Sequence, residues 1–132
     1  MSKYLTFTEV VFKDQETLAI ALTDIGCPTI REGIDLEMGR YYNEQTPQCA
    51  NLIIPRQTFG NVYGDIGFQR QADQSLTPII DDLDRSRVLN GQFIPKLRAA
   101  YHERVVNQVA TRLRGTVQRV VEGGVIKLRV RY

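Results

Sequence analysis

Four groups of residues in this chain are of types that do chemistry: the single histidine His102, the cysteines Cys27 and Cys49, the acidic run Asp81-Asp82-Leu83-Asp84, and the alternating basic residues Lys127, Arg129 and Arg131. One histidine and two distant cysteines, with no C-x-x-C or H-x-x-x-H spacing, do not make a common zinc set. A packing or surface hydrogen-bonding role on a helix is expected for His102 instead, with Arg98 and Glu103 in reach. Read as a calcium loop from Asp82, the acidic run has Arg87 where glycine is needed and Phe93 where a bidentate glutamate belongs, so a solvated acidic loop is expected. Gly60, Gly64 and Gly67 do not follow the G-x-G-x-x-G spacing of a phosphate cradle. The serines, Ser2, Ser75 and Ser86, lie in no G-x-S-x-G. No catalytic, cofactor or metal constellation assembles, and the chain is expected not to be an enzyme.

The basic residues are a sharper signal, because charge is unevenly distributed. Residues 96–132 carry nine Lys/Arg against two Glu, a net of +7, whereas residues 1–95 carry eight against thirteen, a net of −5. On a strand, Lys127, Arg129 and Arg131 project from one face about 7 Å apart, a spacing suited to a row of phosphates. Arg98, Arg112 and Arg114 would extend such a row, which makes RNA or another nucleic acid one reading. No RNP, KH or double-stranded-RNA motif accompanies it. The other reading is a protein partner engaged by Tyr101, His102, Lys127, Arg129, Arg131 and Tyr132, and a non-enzymatic interaction or regulatory module is the function expected.

Elements must hold these residues, and the chain has the length of one α+β domain, 132 residues with ordinary hydrophobic content. Tyr4–Phe12 reads as a strand. Asp14 offers an N-cap to a helix with Leu18, Ala21, Leu22 and Ile25 on one face, ending at Gly26. Residues 27–48, broken by Pro28, Gly33, Gly39 and Pro47, read as an irregular loop or insertion. Leu52–Ile54, Val62–Arg70 and Ser75–Ile80 read as strands, with Gln71–Gln74 as a hairpin turn. Ile94, Leu97, Tyr101, Val105, Val109 and Leu113 mark a helix of about 20 residues, and Gly123-Gly124 signals a C-terminal β-hairpin. The expected fold is a single antiparallel sheet with two main helices on one face. The N-terminus has no signal-peptide core and no stretch is long and apolar enough for a membrane span, so a cytoplasmic location is expected.

Three motifs in order, Tyr63-Gly64-Asp65-Ile66-Gly67-Phe68, Arg98-Ala99-Ala100-Tyr101-His102 with Val105, and Ile126-Lys127-Leu128-Arg129-Val130-Arg131-Tyr132, resemble the hypothetical chloroplast reading frame thirty-five family. The resemblance covers nearly the whole chain. It departs from the family pattern at Ala99, where a tyrosine is usual, at Ile79-Ile80-Asp81-Asp82, where a Trp-rich stretch is usual, and at Tyr132, often a tryptophan. A divergent member is what this implies, from a cyanobacterium, a plastid or a bacterial relative, located in cytoplasm or stroma. The family has no established activity; some relatives are encoded near an ATPase, which implies an ATPase as one kind of partner.

Overall fold

The structure, a computed structural model, describes residues 4–39, 48–60, 62–112 and the backbone of 116–122 and 125–131. Five antiparallel strands form one sheet: β1 (Tyr4–Thr6), β2 (Arg31–Glu37), β3 (Cys49–Ile54), β4 (Ile66–Arg70) and β5 (Leu76–Asp81), in the spatial order β1-β5-β4-β3-β2. Two helices, α1 (Gln15–Asp24) and α2 (Phe93–Arg112), complete the α+β fold. Strands β2 to β5 meander between neighbours, and the segment carrying α1 takes the chain from one edge of the sheet to the other. Thr116–Glu122 (β6) and Val125–Arg131 (β7) pair antiparallel with each other, apart from the five-stranded sheet. The Gly123-Gly124 turn and Leu113 lie outside the described residues.

Register sorts the apolar side chains onto two faces. Leu52 opposes Phe68, which opposes Pro78, and Ile54 opposes Ile66. Leu52, Ile54, Ile66 and Phe68 join Leu76 and Ile80 in a core with Leu18, Ala21 and Leu22 of α1 and Phe93 and Leu97 of α2. The intervening line, Ile53–Gly67–Ile79, points the other way and clusters with Met38 and Ala50. Glycine is required at 67: a Cβ there would lie 2.5 Å from the Met38 sulfur and 2.9 Å from the Ala50 Cβ. Each fully buried aliphatic side chain contributes roughly 1.5–3 kcal/mol by leaving water.

Several boundaries differ from the sequence expectation for physical reasons. The first strand ends at Thr6, not Phe12. The Phe7 amide donates to the Pro78 carbonyl (3.0 Å), but proline has no N–H to return, and the Phe7 carbonyl accepts from Val10 instead (3.1 Å). Pairing resumes only at Phe12, which bridges Leu76. Residues 27–48 are not irregular throughout, since Arg31–Glu37 is an edge strand. It escapes pattern reading because all its residues but Leu36 are exposed, and because the register shifts between Glu32 and Leu36, where Asp35 takes φ +50°. Likewise β4 begins at Ile66, not Val62.

Helix α1 starts where the cap predicts, with the Asp14 carboxylate accepting from the Thr17 amide at 3.0 Å, and closes before Gly26 at φ +95°. Helix α2 spans the expected length, but its inner face does not run through Val109, which is 41% exposed. Phe93, Leu97 and Ala110 bury, and the later turns also rest on α1 through polar contacts. Arg104 grips Asp24 with two nitrogens at 2.6 and 2.7 Å, and Gln108 donates to the Thr17 hydroxyl at 3.2 Å. The guanidinium holds the Asp24 carboxyl below its ordinary value. Leu97→Ala is therefore expected to cost about 2–5 kcal/mol through lost transfer energy and a residual cavity. Val109→Ala should stay within about 0.5 kcal/mol of the wild type. Urea unfolding of the two variants checks this; equal losses would contradict the assignment of faces.

Candidate functional site

The motif at residues 63–68 is a structural knot. Asp65 is buried, and its Oδ2 accepts from the Gly39 amide and its Oδ1 from the Arg56 amide, both at 2.7 Å. Its own amide donates to the Gly39 carbonyl (2.9 Å), which also accepts from the Tyr4 hydroxyl (2.9 Å). Gly64 lies so close beneath the Tyr4 ring that any Cβ would overlap it. One carboxylate thus ties together the segments that follow β2 and β3. Second in the knot is Asp84, 1% exposed, whose oxygens accept from the Tyr63 amide (2.8 and 3.0 Å) and the Gly64 amide (2.9 Å).

This corrects the reading of the acidic run as a solvated loop. Asp81 is also fully buried, and its Oδ1 accepts from the Leu83 amide at 2.9 Å. These carboxylates serve backbone N–H groups that a chain folding back on itself leaves without partners. Burial pushes the Asp84 carboxyl above its ordinary 3.8 and Asp81 pushes the same way, while the two amides and Arg87 pull it down.

From Asp84 the chain makes short 3-10 turns at Asp84–Ser86 and Val88–Gly91 before entering α2. Leu89, Asn90 and Gly91 take φ of +50°, +56° and +77° in succession. Asparagine and glycine tolerate that region, but for leucine it costs about 1–3 kcal/mol, so the turn is held by its ends: Asp84 on one side, buried Val88 and Phe93 on the other. The turn presents two exposed arginines, with the Arg85 guanidinium 4.9 Å above the Phe7 ring and that of Arg87 4.7 Å above the Tyr63 ring. Both escaped the sequence reading, because they sit in the acidic part of the chain and no motif marks them. The rings they lie over, Phe7 and Tyr63, are 78 and 24 residues away in the sequence, so no local pattern reveals the pairs.

Beside this turn lies a cavity of about 270 Å³ whose lining includes Arg85 and Arg98. A wider groove of about 620 Å³ runs between α1 and α2, but Asp24 and Glu103 balance Lys96 and Arg104 there.

Among the sequence candidates, Arg98, His102 and Arg112 are exposed on α2. With Val109 they fall within roughly 80° of arc, one flank of the helix. Tyr101 is not on display. Its hydroxyl accepts from the amides of Lys13 (3.1 Å) and Asp14 (3.0 Å), and its ring meets Phe12 edge-on at 5.1 Å, so it latches α2 to the start of α1. Arg114 and Tyr132 lie outside the described residues. Lys127, Arg129 and Arg131 are on β7, with side chains outside the described set. Cys27 is buried, which pushes its thiol up and away from reactivity. Among the described residues no three His, Cys, Asp or Glu side chains gather as a metal site, and no helix is long and apolar enough to cross a membrane. Comparison of the chain with protein-family models, curated proteins and solved structures returns no match.

Asparagine at 84 would offer one acceptor oxygen and turn an NH₂ toward an N–H donor. Asp84→Asn is expected to cost about 1–3 kcal/mol. The sign of its pH dependence follows from the raised carboxyl: the folded state holds this proton more tightly, so stability falls as pH rises from 3.8 through the folded value. The margin of the wild type over Asp84→Asn should shrink across that window. Unfolding curves at stepped pH measure it; a margin that grows with pH would show the carboxylate favoured on folding.

Proposed function

We infer that this chain is a non-enzymatic protein-interaction module, a divergent relative of the chloroplast reading frame thirty-five family, whose α2 flank engages an acidic protein surface. The observation that carries this reading is the exposure of Arg98, His102, Val109 and Arg112 on one flank of a helix anchored along the adjacent side by Leu97, Tyr101, Arg104 and Gln108. Arg98 and Arg112 stand about 21 Å apart along the axis. Between them Val109 supplies an apolar contact within a cationic rim, the arrangement of a small interface with polar edges. Arg104 does not belong to this surface, since its charge is matched by Asp24.

The buried carboxylates support the absence of catalysis in this reading. Asp65 and Asp84 have their oxygens taken up by backbone amides. A general base needs a proton to take and a nucleophile to orient.

Arginines on a flank also suit phosphates, and nucleic acid is the outcome that would displace this reading. The test is affinity capture from the source organism with and without nuclease, followed by titration of the captured partner against the wild type and an Arg98→Glu/Arg112→Glu variant. A protein that survives nuclease and loses at least tenfold in affinity on charge reversal is expected. Recovery of nucleic acid alone, with a steep salt dependence whose log–log slope drops by about 0.7–0.9 per cation removed, would overturn it.

A further inference from the structure

The cavity beside the 84–91 turn combines two properties. Its walls include Phe7, Val10, Ile80, Val88 and Phe93, each at most 9% exposed, while the guanidinium-bearing residues Arg85 and Arg98 also line it. Neither arginine has a carboxylate partner among the described residues. Arg85 is preorganised by lying over the Phe7 ring. The first turn of α2 adds to the positive side, because the amides of Phe93 and Ile94 are among those a helix start leaves without internal acceptors. Glu9 is the one acidic side chain in the lining, which brings its net charge to +1.

We propose that this cavity is a binding site for a small amphipathic monocarboxylate, with its apolar body against the aromatic and aliphatic walls and its carboxylate at Arg85, Arg98 and the start of α2. The cavity adjoins the helix flank proposed above to engage a protein partner and shares Arg98 with it. At roughly 30 Å³ per water, 270 Å³ holds about nine waters, which sets the ligand at about nine non-hydrogen atoms. A net charge of +1 matches a monoanion better than a phosphate dianion. Guanidinium forks fit a carboxylate with two parallel hydrogen bonds. An inorganic anion would gain nothing from the walls, and a neutral hydrocarbon nothing from the arginines; only a ligand with both ends uses the whole site.

The test is a ¹H–¹⁵N chemical-shift titration of the full chain with benzoate and hexanoate, using benzyl alcohol, benzylamine and inorganic phosphate as controls. Saturable shifts at the amides of Val10, Val88, Phe93 and Ile94 are expected with both acids, at least tenfold tighter than with any control. Arg85→Gln should weaken benzoate at least fivefold and leave benzyl alcohol unchanged. Its side chain is exposed, and an unchanged urea midpoint verifies the fold. Should that variant unfold, the comparison of benzoate with benzyl alcohol on the wild type decides alone. Absence of shifts at these amides, equal binding of benzylamine, or phosphate binding as tightly as benzoate would each overturn the proposal.

Discussion

Four backbone amides, those of Gly39, Arg56, Tyr63 and Gly64, are captured by two buried carboxylates, Asp65 and Asp84, and the arrangement of the connecting segments depends on that capture. A sheet satisfies its own N–H groups; the segments that leave β2 and β3 and approach β4 do not. Burying them without acceptors would cost about 1–3 kcal/mol per group. The carboxylates make that burial possible, and burial raises the proton affinity of Asp84 in return. Glycine at 64 and 67 belongs to the same solution, because Tyr4, Met38 and Ala50 occupy the space their side chains would need.

The exposed surfaces around α2 descend from this knot. Asp84 begins the turn that carries Arg85 and Arg87, and that turn reaches α2 only by holding Leu89 in a left-handed conformation. Helix α2 is then fixed along its length by different means, apolar burial at Phe93 and Leu97, the Tyr101 latch in the middle and the Arg104–Asp24 pair further on. The latch consumes Tyr101, a side chain that the sequence assigns to recognition. What is left exposed on α2, Arg98, His102, Val109 and Arg112, is a narrower set than the basic composition of residues 96–132 suggests.

Local signals in the sequence were legible where one physical effect dominates. Asp14 and Gly26 bound α1 because capping and positive φ are decided within a few residues. Strands β3, β4 and β5 show because their β-branched and aromatic residues are buried. Edge strand β2 does not show, since exposure removes the alternation that identifies a strand. The truncation of β1 depends on a proline 71 positions away from Phe7, whose partnership only the register reveals. Burial of Asp84 was hidden for a similar reason, because a run of acids reads as solvated until the Tyr63 and Gly64 amides, some 20 residues upstream, are brought to it. Arg98, His102 and Arg112 were candidates from residue type alone and the structure shows them exposed on α2, while Arg85 became a candidate only with the cavity.

Native-state hydrogen exchange at the amides of Tyr63 and Gly64 tests the central role of this knot most directly. If Asp84 holds them as an integral part of the folded core, both should exchange only through global unfolding, with an opening free energy equal to that from urea denaturation. Exchange through local opening at a small fraction of that free energy would show that the rest of the fold stands without the knot, and would contradict the account.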